Sequence, residues 1–228
     1  MKQTSTTPGP ASTIGRSMRA ERAESTRGLI LATAVRLFAE YGVYAVSNRQ
    51  ISEAAGQGNN TAVGYHFGTK ADLVRAIARK HSAPIEEKRH RMVVEVAGST
   101  DLRDWISALV RPTAEHLDES GSPTWFARFG AQVMTDPVFR EIMVDESLSS
   151  PSLVRIIEGM RGCIDLPADV RAERSDMARQ LLVHMFAERE RALADGAPTH
   201  RTSWYDAATG LIDALVGMWL APVSKEKA

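Results

Sequence analysis

The sequence predicts an all-α fold, and three observations carry that prediction. Apolar residues recur at three- and four-residue spacing along nearly the whole chain, the signature of amphipathic helices. No segment shows the strict apolar/polar alternation of a strand, and there is no internal repeat. Helix-starting side chains stand at the edges of the periodic stretches, as at Ser47 with Gln50 and Thr69 with Asp72, each pair spaced as a capping box.

The elements follow in order. A first helix is expected from about Ser25 to Tyr41, with Ile30, Ala34, Leu37 and Phe38 on one face. Ser47 opens a second helix, where Ile51, Ala54 and Ala55 share a side; Gly56 and Gly58 break it. Asn59 is placed to cap a third, short helix in which Val63 and Phe67 face inward. Thr69 caps a long fourth helix from Lys70 to Arg89 or beyond, kinked or broken near Pro84. Asp101 starts the next, about Leu102 to Leu117, with a bend expected at Pro112. After the Ser120-Gly121-Ser122-Pro123 loop come short helices over Trp125 to Met134, from Asp136-Pro137 to the Ser149 region, and from Ser152 to about Gly162. Two longer helices close the chain, about Val170 to Asp195 and Trp204 to Leu220.

The short third helix carries the clearest functional signal. Its outward face shows Asn60, Thr61, Gly64, Tyr65 and His66, all small or hydrogen-bonding, which suits a helix entering a DNA major groove. Charge agrees. The chain as a whole is neutral, but residues 1–80 hold eleven Lys/Arg against five Asp/Glu, and residues 81–228 hold seventeen against twenty-three. A basic end on an acidic body is the footprint of a protein that presents that end to a polyanion.

The residues flanking this hairpin resemble those of a known family. Thr26-Arg27-Gly28-Leu29-Ile30-Leu31-Ala32-Thr33-Ala34-Val35-Arg36-Leu37-Phe38-Ala39-Glu40-Tyr41-Gly42 leads into it, and Tyr65-His66-Phe67-Gly68-Thr69-Lys70-Ala71-Asp72-Leu73 closes it. Together, over roughly residues 25 to 75, they look like the DNA-binding domain of the tetracycline-repressor (TetR) family of bacterial one-component regulators. The resemblance implies a flexible tail at 1–24, a three-helix helix-turn-helix head at 25–72, and a helical ligand-binding and dimerisation body at 73–228. It implies a homodimer, joined through the last two helices as a four-helix bundle, that binds a palindromic double-stranded DNA operator and releases it on taking up a small-molecule effector. The single cysteine and the absence of a signal core in residues 1–24 lead to the expectation of a cytoplasmic protein.

Carried over residue by residue, the resemblance gives Arg49 a base-edge or phosphate contact and places Asn59, Asn60, Thr61 and Ala62 where bases are read. Tyr65 and His66 would meet backbone phosphates, with Gly64 between the reading positions, and Lys70 would clamp a phosphate with help from the helix dipole. The chain departs from the family pattern twice. The turn from Gly56 to Asn59 is one residue longer than the common spacing. Gly64 stands where many relatives carry an aromatic, at a helix cost of roughly 1 kcal/mol against Ala.

In the body, Trp105, Trp125, Phe126, Phe129, Met134, Met160 and Met185 are candidate pocket walls, with His116 and His184 as polar handles. The same residues would serve equally as plain core. The composition leans towards a bulky, largely apolar effector, and no cofactor or metal is expected. Two other function classes fit less well. A DNA-binding protein without an effector, constitutive or architectural, leaves the body, residues 73–228, without a role. An enzyme built on Cys163 or a histidine lacks any supporting motif: the six histidines show no HExxH or HxxxH spacing, and no Gly-rich phosphate loop follows a strand. The single cysteine excludes a disulfide framework. No apolar run is long enough to span a membrane, and residues 1–24 lack the apolar core of a secretion signal.

Overall fold

The computed structural model describes residues 10–224. Among them it forms ten α-helices and no strand. The first helix, α1, spans Pro10–Tyr41, so the helix expected from Ser25 continues backwards into the segment read as a tail. Residues 1–9 of that tail lie outside the described residues.

The capping boxes form as their spacing requires. Ser47 accepts from the Gln50 amide and Gln50 reaches back to the Ser47 amide, starting α2 (Asn48–Ala54). Thr69 and Asp72 do the same for α4 (Lys70–Glu95). The short α3 (Ala62–Phe67) ends at Gly68, whose φ of +83° is the left-handed conformation that glycine adopts without a Cβ penalty. Pro84 lies inside α4 and Pro112 inside α5 (Leu102–Glu119), and each helix continues through its proline as one element. The remaining helices are α6 (Phe126–Met134), α7 (Pro137–Leu148), α8 (Pro151–Cys163), α9 (Ala168–Ala194) and α10 (Trp204–Leu220). Asp136, Ser150 and Ser203 cap α7, α8 and α10 through their side chains.

Two apolar cores organise the chain. The first joins Ile30, Ala34 and Phe38 of α1 to Ile51, Val63, Leu73 and Ile77 of the next three helices, and Phe129, Val133, Phe139 and Ile142 of α6 and α7 enter the same cluster. The head is therefore not closed at residue 72: the first two turns of α4, with α6 and α7, complete its core. The second core gathers Trp105, Ile106 and Leu117 of α5, Ile156 of α8, Phe186 of α9 and Leu211, Ile212 and Leu215 of α10. Phe126 packs against both.

A buried ion pair fixes α6 between them. Glu190 on α9 is 2% exposed. Its carboxylate accepts from the Ala127 amide at 3.2 Å, the Arg128 amide at 2.8 Å, Arg128 Nε at 3.3 Å and the Thr124 hydroxyl. The residue before α6, Trp125, offers no side-chain cap. Glu190 supplies one from far downstream in the chain and places a negative charge at the positive end of the helix.

Candidate nucleic-acid interface and ligand cavity

The head presents one polar face. Arg49 on α2 lies open, its side chain 72% exposed, and Nε donates to Glu53 at 2.8 Å. Asn60, Thr61, Gly64 and Tyr65 are exposed around α3, Tyr65 at 84%, while His66 is half-buried. A Cβ at Gly64 would meet no atom within 4 Å, so the glycine leaves open space on the outer face rather than serving packing.

Three of the residues placed here by sequence take other positions. Asn59 does not cap α3: its Oδ1 accepts from the Thr61 amide at 2.9 Å and the Thr61 hydroxyl at 2.6 Å, an Asx turn two residues on. The helix then begins at Ala62, with Thr61 at the cap position and no side-chain bond. Ala62 is buried at 7% exposure, so its methyl packs into the head instead of facing outward. Lys70 is half-buried, and Nζ donates to the Val43 carbonyl at 2.8 Å and the Val46 carbonyl at 2.7 Å. Burial pulls its pKa below the ordinary lysine range. Two of its three N–H groups thus hold the α1–α2 loop against the start of α4.

Two residues given no role from the sequence hold α3 in place. Ser52, fully buried in α2, donates to the Asn48 carbonyl at 3.1 Å and accepts from the Val63 amide at 3.4 Å, joining α2 to α3. Arg27 of α1 donates to the His66 carbonyl at 2.6 Å and stacks over the Phe67 ring at 4.1 Å, clasping the end of α3.

The body encloses a cavity of about 760 Å³ between α4, α5, α6, α7, α8 and α9, with Trp219 of α10 at one wall. Its lining is largely apolar. Of the nine sequence candidates, Phe126 and Met160 line it. Trp105 is core, its Nε1 donating to the Ser99 carbonyl at 2.9 Å and its indole filling the space where a side chain at Gly159 would sit. Phe129 is fully buried in the first core, stacked on Phe38 at 6.2 Å, and Met134 is buried as well. Trp125 lies under the Arg128 guanidinium at 4.2 Å. His116 is engaged with His81: Nε2 and Nδ1 stand 2.9 Å apart, and Phe126 stacks on the His81 ring at 4.1 Å. Burial, with His116 and Lys80 adding, pushes His81 down to about 3. Burial, with Lys88 adding, also lowers His116. His184 and Met185 point away from the cavity altogether, on the exposed side of α9.

Helix α7 touches both functional regions. Phe139 and Ile142 enter the head core, while Met143, Val144 and Ser147 line the cavity. Across to α4, Arg79 Nε donates to both carboxylate oxygens of Glu146 at 3.0 Å, and Tyr44 of the head donates to Asp136 at 2.7 Å just before α7. At Cys163, burial, with Asp101 and Asp104 nearby, pushes the thiol pKa up, opposite in direction to the shift of an activated cysteine. Among the described residues no group of three or more His, Cys, Asp or Glu could hold a metal, and no helix is long and apolar enough to cross a membrane.

Comparison with known proteins agrees with this architecture. Residues 30–77 match the model for bacterial regulatory proteins of the tetR family. The chain is 30% identical over 139 residues to the HTH-type transcriptional repressor AcnR of Corynebacterium glutamicum, a match covering 60% of this chain and 65% of that relative, just under two thirds of its length. Its fold is similar to the crystal structure of the TetR family transcriptional regulator PfmR from Thermus thermophilus, with a TM-score of 0.51 at 18% identity, covering 83% of this chain and 96% of the other. The matched segment runs from the first core helix through α3 into α4, so the head, over residues 30–77, is of the kind found in bacterial regulatory proteins of the tetR family.

Proposed function

We propose that the protein is a homodimeric, effector-responsive repressor that binds a roughly palindromic operator through the exposed face of α2 and α3. The observation that supports this most is the polar face itself: Arg49, Asn60, Thr61 and Tyr65 stand open, while Ser52 ties α2 to α3, Arg27 holds the end of α3 and Lys70 holds the α1–α2 loop against α4. Arg49 and the α3 start read base edges, and Tyr65 and His66 meet phosphates. Lys70 keeps one N–H for a phosphate beyond its two carbonyl partners.

The effector enters the 760 Å³ cavity, a volume suited to a small organic molecule. Its influence reaches the head through α4 and α7, which belong to both the cavity wall and the first core. The two copies meet through α9 and α10. Met177, Leu181 and Met185 form an exposed stripe four residues apart on α9, with His184 beside it. Such a row of apolar side chains needs a cover, and an isologous contact around a two-fold axis provides one. As a regulator acting on bacterial DNA, the dimer works in the cytoplasm.

The test is the salt and sequence dependence of DNA binding by fluorescence anisotropy. Affinity is expected to fall steeply with salt, with a log–log slope of about −0.9 for each phosphate neutralised. Arg49→Ala is expected to cost about 1–3 kcal/mol on the preferred duplex. Wild-type affinity in Arg49→Ala and in Tyr65→Ala together would remove α2 and α3 from the DNA face.

A further inference from the structure

The cavity wall contains an imbalance of hydrogen-bonding groups. Arg89 Nε, Arg179 Nη1 and Trp219 Nε1 are buried and have no hydrogen-bond partner, and all three residues line the cavity. Each atom is a donor. None of them can accept, so only an acceptor brought from outside can satisfy them.

The nearby carboxylates are already engaged. Glu86 accepts from the Ser152 amide at 3.0 Å, from the Ser150 hydroxyl and from Arg89 Nη1 at 3.2 Å, closing the start of α8. Glu146 receives Arg79 on both oxygens and has Arg75 Nε at 3.7 Å. Asp176 takes Arg179 Nη2 at 2.7 Å and is 74% exposed. Arg89, Arg179 and Trp219 therefore line a cavity whose wall also carries Arg140 and the engaged carboxylates Glu86, Glu146 and Asp176 and is otherwise largely apolar, from Leu117, Ile156, Met160 and Phe186 among others. An unpaired buried donor costs about 1–3 kcal/mol, more when charged, so an anion arriving here recovers a penalty that a neutral apolar molecule leaves in place.

We infer that the cavity takes an amphipathic carboxylate, its anionic head against Arg89, Arg179 and Trp219 and its hydrocarbon part among the apolar side chains of α5, α8 and α9. This rests on the reading of the cavity as the effector site and gives that site a ligand class. Arg89 stands on α4 and Arg179 on α9, so an anion held by both would link the helix that carries the head to the helix that carries the dimer stripe.

The test is direct binding to the full-length protein without DNA, by calorimetry and thermal shift. The probes are hexanoate, decanoate, 1-decanol and decyltrimethylammonium. At least one carboxylate is expected to bind about tenfold or more tightly than 1-decanol and to raise the melting temperature, with the cation weaker still. Arg179→Gln, on a partly exposed side chain, and Trp219→Phe are each expected to weaken the carboxylate and leave 1-decanol unchanged. Equal binding of alcohol and carboxylate, preference for the cation, no carboxylate binding, or carboxylate affinity unchanged in both folded variants would each overturn the inference. A neutral compound that releases DNA would defeat the inference while leaving the effector reading intact. Carboxylate binding with this head-group dependence but no effect on DNA affinity would do the reverse.

Discussion

Replacing Glu190 by alanine is expected to destabilise the protein by about 3–5 kcal/mol, the cost of removing one member of a buried ion pair. The carboxylate is 1% exposed and serves four donors at once: the Thr124 hydroxyl, two amides of the first turn of α6, and Arg128 Nε. Without it the Arg128 guanidinium, itself 10% exposed, loses its counter-charge, and the start of α6 loses its cap. Because α6 carries Phe129 and Val133 into the head core, the loss spreads to both halves of the chain. Urea unfolding at fixed protein concentration measures it, since dimer stability depends on concentration. A loss below about 1 kcal/mol would show that the pair contributes no more than a surface contact.

The second large effect concerns assembly. Introducing glutamate at both Leu181 and Met185 is expected to yield a monomer in sedimentation at micromolar concentration and to lower operator affinity about a hundredfold or more, because two linked readers gain from effective concentration and one does not. Both side chains are exposed, so the substitution leaves the monomer's core untouched. Carboxylates brought together across a two-fold axis repel and must be desolvated. A dimer with unchanged affinity would move the interface off α9.

How much of this was legible in the sequence follows from the range of the interactions concerned. The boxes at Ser47 and Thr69 are closed within four residues, so their helices begin where the spacing puts them. Trp204–Leu220 likewise matches the helix expected there. Asn59 misleads because a side-chain oxygen two residues before Thr61 serves an Asx turn as readily as a helix cap; the Asx turn prevails and leaves Ala62 inside. Lys70 stands at a helix N-terminus, where a phosphate clamp is expected, but its partners are loop carbonyls 24 and 27 residues away.

The cavity is the least legible part. The large aromatics are the natural candidates for its walls, yet Trp105 and Phe129 fill the two cores, since large apolar groups gain most where packing is densest. Periodicity places His184 and Met185 on one side of α9 without saying which neighbour that side meets, and they face outward. Arg89 and Arg179 draw no role from the sequence. They come together only as lining of one cavity, whose residues on α4, α8 and α9 are far apart in the chain.

The central claim is that two copies of the α2–α3 face read DNA together. The measurement that tests it most directly is selection of bound sites from random duplex DNA by the purified full-length protein, followed by sequencing. Enrichment of an inverted repeat is expected, with half-sites about 10–10.5 base pairs apart centre to centre, or a multiple of that spacing, and the enrichment is expected to be lost when Arg49 and Tyr65 are replaced by alanine. Failure to enrich any site, or enrichment that survives both substitutions, would contradict it.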